Sequence, residues 1–192
     1  MKVVKGFLVA GLAAALLSGC GSNNNNSASE SAAPASSAAA STAPAASAAA
    51  DATTTASIVN QGDAFKTAVS ESGTWIIAVL NDLTVDGEVT VAGEFHDKND
   101  TSKDIYRKIA LYAQDADHNV TAQYTLTVPK LTVKSENLRI QGGTVKGDVF
   151  VEANGFNLFN NATIDGNLTF ANADVQKTAK IEGKVTGTTS AQ

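Results

Sequence analysis

Through the later part of the chain, apolar and polar residues alternate in short runs, the pattern of strands with one buried and one solvated face. Three such runs align without a gap: TVKGDVFV from Thr144 to Val151, TIDGNLTF from Thr163 to Phe170, and KIEGKVTG from Lys180 to Gly187. A fourth copy, TVDGEVTV from Thr84 to Val91, stands well before them. The alignment places Val145, Ile164 and Ile181 in one column and Val149, Leu168 and Val185 in another. Gly147, Gly166 and Gly183 mark the bend between the columns, where the ease with which glycine adopts positive φ is useful. The starts at 144, 163 and 180 recur at a spacing close to one turn of a parallel β-solenoid. A single turn buries little there, and stacking turns the columns into a continuous core. An antiparallel sandwich of short strands is the competing architecture, but it gives no reason for the octapeptide to return. The expected fold class is therefore all-β, a parallel β-solenoid.

Other segments fit around the repeats. Leu131–Val133 and Leu138–Ile140 read as an earlier turn, and Phe156–Leu158 and the neighbourhood of Val175 as second strands of later turns. Before them, the span 63–72 places Phe65, Ala68, Val69 and Ser72 on one helical face, with Asp63 or Asn60 as N-cap and Gly73 as terminator. Trp75 to Leu80 reads as a buried strand, and Leu83 to Val91 as the first solenoid-like unit. The alternating runs 108–114 and 120–128 flank Asp115-Ala-Asp-His-Asn119 and predict a hairpin or strand pair inserted between turns.

The start of the chain has a different pattern. Lys2 and Lys5 precede an apolar run from Phe7 to Leu17, too short for a hydrocarbon core that takes about 20 residues. The run ends in Leu17-Ser18-Gly19-Cys20, which resembles the lipobox of bacterial lipoprotein precursors. The resemblance implies that residues 1–19 are a signal peptide, removed before the protein folds, and that Cys20 is the site of lipid attachment. Lipid chains such as palmitate would then hold the chain to a cell membrane, facing outside the cytoplasm. Cys20 is the only cysteine, so no intrachain disulfide can form. From Gly21 to Ser57 the composition shifts to Ser, Ala, Asn and Thr without an aromatic residue, which cannot offset the entropy of ordering it. The expected organisation is a signal peptide at 1–19, a lipidated cysteine with a disordered tether at 20–57, and a solenoid domain at 58–192.

Charge narrows the partners. The chain carries 14 basic and 19 acidic side chains, net −5, and loss of Lys2 and Lys5 with the leader makes it more acidic. Only two arginines occur, Arg107 and Arg139. A nucleic-acid surface needs clustered positive charge, so nucleic acid is not an expected partner, and electrostatic adhesion to anionic lipid is disfavoured.

The stretch 144–187 resembles the repeats of bactofilins, polymer-forming bacterial proteins built as right-handed parallel β-helices. The resemblance implies that fold here and self-association through open strand edges; the leader and tether depart from a cytoplasmic cytoskeletal role. A short helix ahead of the first strand is similar to the N-terminal caps of many β-helix proteins, polysaccharide lyases among them.

Candidate chemistry is sparse. Asp115, Asp117 and Asn119 have the first three spacings of a calcium loop, but Val120 stands where that loop has Gly and Leu126 where it has Glu. An acidic hairpin tip explains them as well. His96, Asp97, Asn99, Asp100 and Asp104, with Lys98 and Lys103, form a polar cluster that a solvated loop accounts for. No G-x-S-x-G, H-E-x-x-H or P-loop pattern occurs, and no cofactor is expected. The expected role is a surface-displayed, non-catalytic module that contacts envelope polysaccharide, a partner protein or other copies of itself. The alternative is a carbohydrate-active β-helix enzyme such as a lyase, with Tyr106, Arg107 and Lys108, or His96 with Asp97, as its candidate groups.

Overall fold

The computed structural model describes residues 56–192; the leader, Cys20 and the tether up to residue 55 lie outside the described residues. Alternation in the sequence becomes a run of short strands. In chain order these are β1 (Ala56–Val59), the helix α1 (Gly62–Val69), β2 (Ile76–Val79), β3 (Leu83–Thr84), β4 (Val89–Val91), β5 (Arg107–Ala110), β6 (Tyr112–Gln114), β7 (Val120–Gln123), β8 (Thr125–Val133) and β9 (Leu138–Gln141). Then follow β10 (Thr144–Val151), β11 (Asn157–Leu158), β12 (Thr163–Asp165), β13 (Leu168–Phe170), the helix α2 (Ala173–Thr178), β14 (Lys180–Ile181), β15 (Lys184–Val185) and β16 (Thr189–Ala191).

The described chain is mostly β and builds two parallel sheets. The first has the order β1-β2-β5-β9-β11-β14; in the second, β3 and β4 lie against β8, β8 against β10, β10 against β12 and β13, and these against β15 and β16. From β2 onward the chain passes from one sheet to the other and back, except at β6 and β7, which pair antiparallel as a hairpin. The hairpin expected around Asp115–Asn119 is thus present, in a shorter form: β5 and β8, included in the expected runs, belong to the parallel sheets.

Register explains the core. In the first sheet Ile77, Ile109, Ile140 and Leu158 occupy successive partner positions. In the second, Leu83, Leu126, Val145 and Ile164 form one column, and Val89, Leu131, Val149 and Leu168 another. All are buried and belong to one apolar cluster. Each fully buried side chain of this kind contributes about 1.5–3 kcal/mol relative to exposure.

The third repeat departs from the expected alignment. Ile181 does not join Val145 and Ile164; it pairs with Leu158 in the first sheet, and Val185 pairs with Ile164. Thr189, not Val185, continues the column of Val149 and Leu168. The true third copy is Lys184 to Ala191, four positions later. α2 is the cause. It replaces the expected strand near Val175, buries that side chain, and lengthens the path between β13 and β14. The glycine column shifts with it, to Gly147, Gly166 and Gly187. Gly147 does adopt φ +136, and a Cβ there would lie 1.7 Å from Val128 O. Gly166 is not in the positive-φ region; it is required because a Cβ would come 2.2 Å from Gly147 O. Beside this column Asp148 Oδ1 accepts from Asn167 N and Nδ2, and Asn167 Oδ1 accepts from Thr188 N and Oγ1.

At the other end β1 begins at Ala56, inside the span expected to be tether, and precedes the helix. α1 connects two strands of the first sheet, where later connections supply a strand to the second. It buries the expected Phe65, Ala68 and Val69, but its N-cap is Gln61 without a side-chain bond, and it ends at Val69 with Ser70 as C-cap, ahead of Gly73. Its end is tied to β4 by Ala92 N donating to Val69 O at 3.0 Å.

A buried cation locks this end. Arg107 is 0% exposed. Its Nε donates to Thr74 O, Nη1 to Ala92 O and Ser135 Oγ, and Nη2 to Ala68 O and Ser70 O. The Phe95 ring lies 4.0 Å from Cζ. All five guanidinium N–H groups are thereby used. Burial pushes its pKa down to about 10, which leaves it charged at neutral pH.

Candidate functional site

A strand that buries every second residue must show the others outside. In the first sheet the residues beside the buried column are Ile76, Lys108, Arg139 and Asn157, which are partners of one another on β2, β5, β9 and β11. With the small Ala78 and Ala110 they form the floor of a groove of about 1230 Å³. The segment before β5 supplies one wall: Asp97, Lys98, Lys103, Asp104, Ile105 and Tyr106. Tyr112 to Gln114, just after β5, supply another part of the lining.

Two features of this groove are unusual for a plain sheet face. The first is a cluster of π systems around a cation. Trp75 and Tyr106 have ring centroids 6.1 Å apart at 58°, and the Arg139 guanidinium lies 5.6 Å from the Tyr106 centroid and 5.0 Å from that of Phe159. Burial raises the Tyr106 pKa, opposed by the positive charge of Arg139. The second is unmet polar demand. Trp75 Nε1, Arg139 Nε and Asn157 Oδ1 are buried without a hydrogen-bond partner, and all three residues line the groove. A buried polar atom left unsatisfied costs about 1–3 kcal/mol, so three in one place call for explanation.

The wall segment is braced internally. His96 and Ile105 form an isolated antiparallel bridge. The His96 ring nitrogens lie 2.7 Å from Lys103 O and 3.2 Å from Glu94 Oε1. The Lys103 carbonyl raises the His96 pKa, desolvation opposes it, and Glu94 followed by Asp100 adds to the rise. Asp100 Oδ1 accepts from Ser102 N and Oγ, and those bonds lower its pKa. Lys98 and Asn99 both have φ of 58, a conformation that costs a residue with a Cβ about 1–2 kcal/mol.

Comparisons with family models, with curated proteins and with solved structures find no match to this chain. The groove must be read from its own chemistry.

The residues expected from the sequence divide as follows. Cys20 lies outside the described residues. Asp115 spends both oxygens inside its turn: Oδ1 accepts from Asp117 N and Asn119 N, and Oδ2 from Asn119 Nδ2. Its pKa is lowered chiefly by the bond from the Asn119 backbone N–H. Among the described residues no group of three or more His, Cys, Asp or Glu side chains converges. Arg107 is enclosed, whereas Tyr106, Lys108, Asp97 and Asp104 line the groove. Sequence reasoning missed Trp75, Arg139 and Asn157 as a set. The signal that unites Arg139 and Asn157 is their cross-strand register, which depends on the pairing of β9 with β11.

Proposed function

We propose that this chain is a lipoprotein, anchored through Cys20 and displayed outside the cytoplasm, whose parallel sheets form a non-catalytic β-helical module that binds envelope polysaccharide. The passage of the chain between two parallel sheets, broken only by α1 and the β6–β7 hairpin among the described residues, supports a coiled path, and crossover connections between parallel strands are right-handed in about 98% of cases, so a right-handed β-helix is the proposed form. The leader, the lipobox and the Ser/Ala-rich tether support export and anchoring.

The observation that carries the binding reading is the set of three unpartnered polar atoms, on Trp75, Arg139 and Asn157, in a groove that also presents Tyr106 and Tyr112. Sugar hydroxyls both donate and accept, and aromatic rings receive the apolar faces of pyranosides; groups of these kinds are what orient a ligand in a cleft. A non-catalytic role is supported by the fate of Arg107, whose donors are all consumed within the fold, so that it offers nothing to a sugar proton.

The test has two arms. Cells expressing the chain should incorporate labelled palmitate and carry the protein in the membrane fraction, and Cys20→Ala should abolish both. The whole chain should be retained on purified envelope polysaccharide, and Asn157→Ala should reduce that retention. Retention unaltered by Asn157→Ala, or none at all, counts against the groove.

A further inference from the structure

The groove reverses the electrostatic sign of the protein around it. The chain is net −5, yet the groove is lined by Lys98, Lys103, Lys108 and Arg139 against only Asp97 and Asp104. Arg139 is the informative member. It is half-buried, its guanidinium lies 5.6 Å from the Tyr106 ring and 5.0 Å from the Phe159 ring, and no ion pair to a carboxylate is present for it among the described residues. Removing a cation from water is unfavourable unless an anion or a set of acceptors compensates. Arg107 shows how this fold compensates when the need is structural, by surrounding the guanidinium with four carbonyls and a hydroxyl. Arg139 has no such enclosure, and its Nε is left without an acceptor. A charge held in place by rings but not neutralised is suited to an external anion, and a guanidinium fits a carboxylate better than it fits any neutral group.

The neighbouring groups define the rest of the ligand. Asn157, the register partner of Arg139, carries a buried, unmet acceptor, and Trp75 a buried, unmet donor. Trp75 adjoins β2 and Asn157 lies on β11, three strand spacings of about 4.8 Å apart, so a ligand that meets all three must carry an anion, a hydrogen donor and a hydrogen acceptor along an extended unit, beside rings that favour an apolar face. An oligosaccharide that includes a carboxylated sugar does so.

Resting on the reading of the groove as a polysaccharide site, we propose that it selects acidic glycans, with Arg139 receiving the carboxylate of a uronic-acid residue and the lysines of the wall raising the local concentration of the polyanion. Asn157 Oδ1 accepts from a hydroxyl of the same sugar. The preference weakens with salt, since the wall lysines are exposed to screening.

The experiment is titration calorimetry of the whole chain with three probes: a short oligoglucuronide, its methyl ester, and the oligoglucoside of the same length and linkage. The oligoglucuronide should bind about 10-fold more tightly than either neutral probe, a difference of about 1.4 kcal/mol. Arg139→Gln should erase that preference while Arg139→Lys keeps part of it, with unchanged melting temperatures. Should Arg139→Gln fail to fold, Lys98→Glu with Lys103→Glu tests the same charge from the wall and should lower oligoglucuronide affinity by a larger factor than glucoside affinity; an equal loss for both probes overturns charge selection. Equal affinity for all three probes overturns charge selection and leaves the polysaccharide reading standing. Binding of none of them, with none to envelope polysaccharide either, ends both. Polyglutamate bound as tightly as the oligoglucuronide overturns the sugar class, because charge alone would then suffice.

Discussion

Replacing Arg107 by methionine keeps the apolar stem and removes the guanidinium from a fully enclosed position. Four carbonyls and one hydroxyl then lose a donor. The losses are unequal. Ala68 O still accepts from Thr74 N at 3.1 Å and Ser70 O from Gly73 N at 3.1 Å, so these remain satisfied. Ser135 Oγ still donates to Gly93 O. Thr74 O and Ala92 O bear the cost, and two half-buried acceptors without donors amount to at most about 2–6 kcal/mol. Release of the desolvation cost of a buried charge offsets part of this, so the net destabilisation should be about 3 kcal/mol. For a folded unit of this size, between the two classes for which such shifts are known, that corresponds to a drop in Tm of about 10 °C. Arg107→Lys should fall between the two, because an ammonium keeps the charge but has three donors and no planar fork. Calorimetry of the whole chain at neutral pH checks the magnitude, and amide exchange locates it, with faster exchange expected at Val69, Thr74 and Ala92. A Tm lowered by less than about 3 °C in both variants would refute the assignment of Arg107 as the fastener of α1, β4 and β5.

Other predictions are briefer. Gly147→Ala should prevent folding or lower stability by more than about 3 kcal/mol, since the new methyl meets Val128 O at 1.7 Å; Gly87→Ala, at φ +78 with nothing within 4 Å, should cost only about 1–2 kcal/mol, and comparable melts for the two would refute the stacking argument. The pKa of His96 is raised on folding, so the bracing of the wall is fully present below 6.5, the unfolded value, and is lost as pH rises through the higher folded value. Asp100 behaves oppositely: its contribution is present above 3.8 and lost as pH falls through its lower folded value. Amide exchange across residues 94–106 should therefore be more protected near pH 5.5 than near pH 8 once intrinsic rates are removed, and His96→Gln should abolish the difference; a wall better protected at pH 8 would contradict it.

The strand-forming segments were legible because alternation is a local property. Leu83–Val91, 131–133, 138–140, 144–151 and 163–170 all emerge as strands of parallel sheets, with Val145 beside Ile164 and Val149 beside Leu168. Alignment failed at the third repeat for a physical reason. KIEGKVTG imitates the preceding copies more closely than KVTGTTSA does, but chain length decides which residues arrive at a rung, and α2 consumes the difference. The same dependence on pairing hid the groove. Lys108, Arg139 and Asn157 are separated by long stretches of sequence and become neighbours only through register. Arg107 read as a candidate acid–base group because a sequence shows the residue type without its surroundings; the acceptors that consume it are carbonyls at the end of α1, before β2 and after β4, and a serine hydroxyl after β8.

Nearly all of the groove's walls are drawn from one stretch, between β4 and β8, where the chain leaves its passage from sheet to sheet. Strands β9 to β16 pair through backbone register, and side chains tie them to those walls at a few points: Asn137 Nδ2 donates to Ile105 O at 3.0 Å, Gln123 Oε1 accepts from Gly143 N at 3.1 Å, and the Arg139 guanidinium lies 5.6 Å from the Tyr106 ring. Exchanging residues 97–103, which make none of these contacts yet supply Asp97, Lys98 and Lys103 to the lining, should therefore alter the composition of the groove while the strands keep their partners. Arg107, Gln123, Asn137 and Arg139 join the two parts, and they mark where such grafts must stop.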